Sequence, residues 1–333
     1  VIGQREKRYL LGSFLLLLLA AGCSLLLGNN MVSTGALLKA LTGCGTDRAV
    51  KMILLQVRLP RLAAGIICGV GLSVSGLLLQ TSLDNELASP GIMGINAGAG
   101  LCVLIAGIAA PFSAIVRQAA GFTGAVLAIL LVCMVCQAAG FARAVLVLTG
   151  VAVSSLFTAA ANAVITIFPG AVADKTAFSL GSLSSVAWEQ TWTSGIVTAT
   201  GIAAAFLYAG QISLLKLGDE TAAGLGISPR NVRKRAVLLA ALLAGAAVSL
   251  CGLLGFVGLI IPNLVRRLSF HSLPAEILAC ALSGSAFLIL CDLLSRHLFF
   301  PYELPVGVLL SFLGAPFFLS ILIRRKRSAA VEV

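Results

Sequence analysis

The stretch Lys216–Arg235, KLGDETAAGLGISPRNVRKR, breaks an otherwise membrane-like chain with a long run of polar and small residues. Two acids, Asp219 and Glu220, come first. Small residues follow, and then four cations, Arg230, Arg233, Lys234 and Arg235. Small side chains let another backbone approach closely. A short helix of this kind between membrane spans predicts a coupling element, against which a soluble body pushes. It points to a transporter driven by a separate motor.

The sequence around this stretch defines the solvent. Hydrophobic residues make up 59% of the 333 residues and charged residues 11%, and the mean hydropathy is +1.07. A soluble domain carries roughly 25% charged residues. This chain cannot cover its apolar surface in water, so it folds in a bilayer. At about 20 residues per helix, its apolar runs predict ten spans: residues 10–27, 60–80, 91–110, 117–138, 144–167, 191–210, 236–254, 256–267, 275–295 and 305–323. The eighth is short, rich in Gly, and holds Pro262. The expected fold is an all-α integral membrane protein, one transmembrane domain over residues 1–333, with no soluble domain.

Charge sets the orientation. With the N-terminus inside, 15 of the 23 basic residues fall on the cytosolic side. The other eight, Lys39, Arg48, Lys51, Arg58, Arg61, Arg117, Lys175 and Arg296, fall outside. This bias predicts both termini in the cytosol, with the opening stretch on the same side. The net charge of +11 sits at span ends and lacks the aromatic interleaving that stacks bases, so nucleic acid is not an expected partner. Arg5, Lys7 and Arg8 before an apolar run resemble a signal peptide, and Ala20-Ala21-Gly22-Cys23 imitates a lipoprotein cleavage site. The run is long enough to span and is read as an uncleaved first helix. Most of the nine cysteines lie in apolar runs. Cys133 and Cys136 form a lone CxxC, read as either a redox or metal pair or helix packing.

Several motifs carry two readings each. Arg58-Leu59-Pro60-Arg61 opens the second span with two cations on the outer side. They either dock carboxylates or snorkel to the interface. Ser155, Thr158, Asn162 and Thr166 share one face of the fifth span. That face either lines a water-filled path or bonds to a neighbouring helix. Asp292, one turn before Arg296, forms either a charge pair or a proton relay. Pro90 is placed to begin a helix. Gly65/Gly69 and Gly94/Gly98 form GxxxG pairs suited to close helix packing. Residues 69–78 resemble residues 245–254, in spans running in opposite directions, as inverted transporter repeats do. No nucleotide loop, Ser-His-Asp or Cys-His arrangement occurs, and the two His have no ligand spacing. Transport is expected, not catalysis.

These blocks together resemble the permease subunit of a type II ABC importer, the family that takes up iron–siderophore complexes, haem and cobalamin. They are Arg58–Arg61, Gly76–Gln80, Asn85–Gly94 with Asn96–Ala99, Gly218–Glu220 with Leu225-Gly226, Gly255–Pro262, and Asp292–Arg296 with Glu303–Gly307 and Gly314–Phe317. The resemblance covers about residues 5–325.

It implies a permease dimer (a second copy or a close paralogue) in the bacterial cytoplasmic membrane. Two cytosolic ATPase subunits would carry the ATP and Mg, with no cofactor on this chain. An extracytoplasmic substrate-binding protein would dock on Arg58, Arg61 and Arg296. Gly218, Asp219, Glu220, Ala222, Ala223, Gly224, Leu225 and Gly226 would form the coupling helix. Asp219 is suited to cap its start, Gly226 to end it, and Pro229 to begin a second short helix. The chain departs from the family at Asp84 and Glu86, where Arg and Pro are common, and at Asn263 and Ser269–Ser272. These departures bear on contacts with the ATPase. The expected function is inward movement of a metal chelate by alternating access, a ferric siderophore first, then haem or cobalamin. An ion-coupled secondary transporter is the other class, and it would need deep carboxylates beyond Asp292.

Overall fold

A computed structural model describes residues 3–27, 48–111, 113–139, 142–171, 176, 178–268, 270–299 and 302–331, with side chains of the last segment described to residue 320. Lys39, Lys175 and Ser269 lie outside the described residues.

Helix α1 spans Gln4–Leu26. Helix α2 (Arg48–Ile53) passes through a π-helical turn (Leu54–Arg58) into α3 (Leu59–Leu83). Then come α4 (Ile95–Ala109), α5 (Ala114–Ala139), α6 (Arg143–Ile167) and α7 (Trp188–Leu214). The short α8 (Asp219–Gly224) precedes α9 (Pro229–Cys251), α10 (Val257–Arg266), α11 (Leu273–His297) and α12 (Val306–Val331). Among the described residues, seven helical stretches are long and apolar enough to cross a membrane, and three shorter apolar helices, Ile95–Ala109, Val257–Arg266 and Val306–Ser320, accompany them. The ten expected spans therefore each have a helix, and no strand occurs among the described residues.

Helix α3 forms the centre, packed against α7, α9, α10 and α11. Glycine makes those contacts close. A Cβ on Gly76 would overlap the Gly258 carbonyl of α10, and one on Gly69 would sit 2.5 Å from the Ser285 Cα of α11. Residues touching along α3 and α9 run in opposite order, from Cys68 beside Cys251, through Ser75 bonded to the Ala240 carbonyl, to Ser82 bonded by Arg233. The two helices are antiparallel, so the similar segments 69–78 and 245–254 are inverted relative to each other.

Three local expectations change. The second span begins at Arg48, twelve residues before the predicted start, because Pro60 does not break the helix. The π turn absorbs it: Leu59 N–H reaches back five residues to Leu54 O. The next carbonyl, Leu55, would need a donor at Pro60, which has none. The Trp188 indole N–H donates to it instead, at 2.7 Å.

Pro90 lies in a turn, and α4 starts at Ile95 behind Gly94, whose φ of +82° is left-handed. Gly94 is thus a cap, while Gly98 packs on Gly124 of α5. Pro229 opens no separate short helix. It is in the first turn of the 23-residue α9, which carries Arg230–Arg235 in its first two turns. Cys133 and Cys136 are buried, with the Cys136 thiol 3.7 Å from Thr149 Oγ1. This is the helix-packing reading.

Candidate functional site

At one end of α3 lies the polar stretch read first. Gly218, at φ +92°, precedes α8 and is its N-cap. Asp219, expected to cap the helix, is instead its first residue and makes no side-chain cap. Its carboxylate accepts two hydrogen bonds from Arg233 Nη2, at 2.7 and 3.0 Å. The physical reason is the stronger partner: a guanidinium meets the carboxylate with a full opposite charge, whereas a backbone N–H offers only a dipole.

The other end closes as expected. Ile227 N–H bonds Ala222 O at 3.3 Å and Gly226 N–H bonds Ala223 O at 3.0 Å. With Gly226 at φ +82°, this is a Schellman ending. Ala222 is fully buried and anchors the turn, whereas Glu220, Ala223, Gly224, Leu225 and Gly226 are exposed. Leu225 is 57% exposed. An apolar tip with small neighbours projects from the bundle.

Arg233 ties this turn to the core. It is buried, and its Nε donates to the Ser82 carbonyl at the end of α3, at 3.0 Å. Arg143, at the start of α6, bonds Asp84 Oδ2 at 2.7 Å and lies 3.7 Å from Asp219. Asp84 is the left-handed C-cap of α3, at φ +48°. Lys216 pairs with buried Glu276 of α11 at 2.8 Å. The departures therefore have local roles. Asp84 receives Arg143, and Asn263 Nδ2 bonds the Glu86 carbonyl at 3.0 Å. Sequence reasoning missed Arg233 and Arg143, which entered it only as cytosolic charges setting the orientation. No spacing rule pairs them with acids 14 and 59 positions away.

The three arginines expected to dock a partner gather at the far end of α3, and the structure buries all of them. Arg58, Arg61 and Arg296 are 5%, 7% and 4% exposed. Arg61 donates Nε and Nη2 to Asp292, at 3.1 and 2.9 Å, and Nη1 to Glu303 at 3.0 Å. Arg296 bonds the other Asp292 oxygen and Ser24 Oγ. Arg58 donates to the Leu25 carbonyl at the end of α1, where a cation also meets the negative end of the helix dipole.

One cluster thus joins α1, α3, α11 and the segment before α12. Asp292 pairs with two guanidinium groups at once. Arg296 is shared between it and α1, and neither the snorkelling geometry nor three free surface cations is present. Glu303 was quoted in the sequence only as part of a motif, and its partnership with Arg61 spans 242 positions. Exposed Arg48 and Lys51 on α2 lie beyond this cluster.

Ser155, Thr158, Asn162 and Thr166 do share one face of α6, and all four are exposed. Ser155 and Thr158 hydroxyls donate back to the carbonyls of Val151 and Ser154, and Thr166 to that of Asn162. A cavity of about 540 Å³ with mixed polar and apolar walls opens at the Asp292 end, lined by Gln118, Ser182, Ser184, Leu250, Cys251 and Glu303 among others.

Ten apolar helices with a projecting small-residue turn define a polytopic membrane permease. The chain belongs to the FecCD transport family, whose model matches residues 15–324. It is 35% identical over 333 residues to the Hemin transport system permease protein HmuU of Yersinia pestis, covering 97% of this chain and 98% of that one. It is 34% identical to the Fe(3+)-citrate import system permease protein YfmD of Bacillus subtilis strain 168 over 269 residues, 81% and 80% of the two chains. The solved structure of a metal-chelate type ABC transporter in an inward-facing conformation superposes with a TM-score of 0.83 at 25% identity, covering 96% of this chain and 99% of that one. The chain is the membrane-spanning permease of an ATP-driven importer, and its relatives are named as transport permeases, not enzymes.

Proposed function

We propose that this permease carries a ferric chelate of the siderophore or citrate type inward across a bacterial cytoplasmic membrane, with both termini in the cytosol. Two permease copies frame the path. The exposed α8 tip, with Ala222 buried beneath it, is the observation that carries the reading. It is a rigid small-residue knob that can seat in a cytosolic ATPase, which supplies ATP and Mg. Haem is the second reading, favoured by the near full-length likeness to a hemin permease.

The exposed hydroxyl and amide stripe on α6 lines the path between the copies. In reconstituted vesicles with the ATPase and binding protein, ATP-dependent uptake of iron as a ferric chelate is expected. Asn162→Leu should lower it severalfold without changing the amount of assembled complex. Absence of ATP-dependent uptake for every ferric chelate and for haem would overturn the cargo assignment. Wild-type uptake by the Asn162→Leu variant would return α6 to plain packing.

The docking role of Arg58, Arg61 and Arg296 takes a different form from three reaching side chains. Three cations face two carboxylates, Asp292 and Glu303, so the cluster keeps one excess positive charge. Field from a buried charge reaches outward with little screening. Exposed Arg48 and Lys51 add to it. An acidic face of the binding protein is steered to this end. Arg48→Glu with Lys51→Glu should slow association by about tenfold at low salt, with a much smaller effect at high salt. An association rate independent of both charge and salt would remove the electrostatic role.

A further inference from the structure

Two thiols meet where α3 and α9 cross, at the end of the bundle away from the coupling turn. Cys68 Sγ lies 3.2 Å from Cys251 Sγ and 3.5 Å from the Ala247 carbonyl. The importer mechanism uses neither sulfur. Both are free, buried thiols, and they differ in setting: Cys68 is fully enclosed, while Cys251 is among the residues that line the cavity. The rim of that cavity includes exposed Ser184, Ser185 and Glu303. The cavity therefore brings a small oxidant nearer to Cys251 than to Cys68.

The backbones are also close. A Cβ added at Gly71, one turn along α3, would come within 2.9 Å of the Leu243 carbonyl on α9. An S–S bond of about 2.05 Å needs the sulfurs to close by little more than an ångström. Among the described cysteines no other sulfur–sulfur hydrogen bond occurs. Cys133 and Cys136 share α5, and Cys136 turns to Thr149 instead.

We propose that Cys68 and Cys251 form an oxidisable pair that staples α3 to α9, with peroxide as the oxidant class. Cys251 sulfur attacks one peroxide oxygen. The O–O bond breaks, the departing oxygen leaves as water with the thiol proton, and Cys251 becomes a sulfenic acid. Cys68 sulfur then attacks Cys251 sulfur. The S–O bond breaks, and its oxygen leaves as a second water with the Cys68 proton. Two thiols and one peroxide give one disulfide and two waters, and the two electrons lost by sulfur are gained by the O–O bond. Cys251 is the peroxidatic residue and Cys68 the resolving one.

The staple bears on transport because of what the two helices carry. α9 begins just after the coupling turn and ends at Cys251, and α3 carries the Arg61 cluster at the same far end. Joining them there removes relative sliding between the helix next to the motor and the helix at the outer cluster. This consequence rests on the importer reading, whereas the sulfur chemistry does not.

The test treats the full-length permease in vesicles with hydrogen peroxide, then quenches, denatures, alkylates and maps peptides by mass spectrometry. The expected product is a reductant-sensitive peptide linking Cys68 and Cys251. In Cys68→Ala the link should vanish and Cys251 should be trapped by dimedone as its sulfenic acid. In Cys251→Ser Cys68 should stay reduced. ATP-dependent uptake should be lost in oxidised wild type, return with dithiothreitol, and persist in peroxide-treated Cys68→Ala.

If no linked peptide forms while exposed Cys23 in the same sample is oxidised, the pair is overturned. Oxidation of Cys68 in the absence of Cys251 would overturn the order of attack. A linked peptide with unchanged uptake would overturn the staple's effect on transport. A failure of uptake before any oxidant would count against the importer reading alone.

Discussion

Ala223→Trp is expected to separate ATP hydrolysis from transport. The substitution should leave the permease folded, because Ala223 is exposed and its neighbour Ala222 carries the buried contact. Surface changes away from such contacts usually shift stability by no more than about 0.5 kcal/mol. α8 is only six residues long, so one bulky side chain covers most of its free face. An indole there blocks the approach that Gly224 and Gly226 permit. Loss of even about 1.4 kcal/mol of seating energy weakens the contact tenfold.

Vesicle uptake should fall by about tenfold or more, while the ATPase subunits keep hydrolysing ATP. Retained ATP-driven uptake with normal stoichiometry would mean that the motor does not seat on this turn. The test also separates seating from anchoring. Asp219 is bound to buried Arg233, so changes there would loosen the turn from α3 and confuse the two effects.

Much of this architecture was legible in the chain because the bilayer simplifies the problem. In hydrocarbon every backbone group must be satisfied within its own segment, so an apolar run of sufficient length has little choice but helix. The ten runs each found one. Helix ends were harder, since they depend on single backbone angles. Gly226 was readable as a terminator because the left-handed position it fills favours glycine. Asp219 was misread as a cap because a side chain with a stronger distant partner abandons its local one. Pro60 was misread as a helix start because a π turn and a distant indole together removed the cost of its missing donor.

The far-end cluster shows the same limit. Arg58 and Arg61 were visible as a pair and Asp292 and Arg296 as another. That all four share one buried site with Glu303 follows from α3 and α11 packing through Gly69 and Gly284, a tertiary fact. The α6 stripe was fully readable from its period, because helical spacing alone puts its residues on one face. What lies across from that face is a matter of assembly, and one chain does not encode it locally.

α3 connects these observations. Its buried length runs from the Arg61 cluster to the Ser82 carbonyl, where Arg233 and, through Asp219, the coupling turn are attached. Packing that close leaves few ways for α3 to deform, so on the proposed coupling role a displacement of α8 would be passed along as motion of α3 against its neighbours. The cluster at the other end is where such motion would meet three linked ion pairs.

Asp292→Asn is expected to cause a large loss of stability. Asp292 is 2% exposed and pairs with Arg61 and Arg296 at once. Removing its charge leaves Arg61 and Arg296 to share Glu303, whose side chain is 36% exposed. Breaking a buried ion pair from one side costs on the order of 3–5 kcal/mol. The variant should show a markedly lower Tm in detergent and a lower yield of folded permease.

Reversing Arg61 to Glu should be worse, because a third carboxylate then faces Asp292 and Glu303. Such a variant loses transport by misfolding and is a poor probe of docking. The ion pair itself is tested by removing both partners. Asp292→Asn with Arg296→Met leaves Arg61 paired to Glu303 and no buried orphan charge on α11. It should recover most of the lost stability, a coupling well above the few tenths of a kcal/mol expected of independent sites. Additive losses in the double variant would show that Asp292 stabilises the bundle by its shape and hydrogen bonds, and that its charge does little.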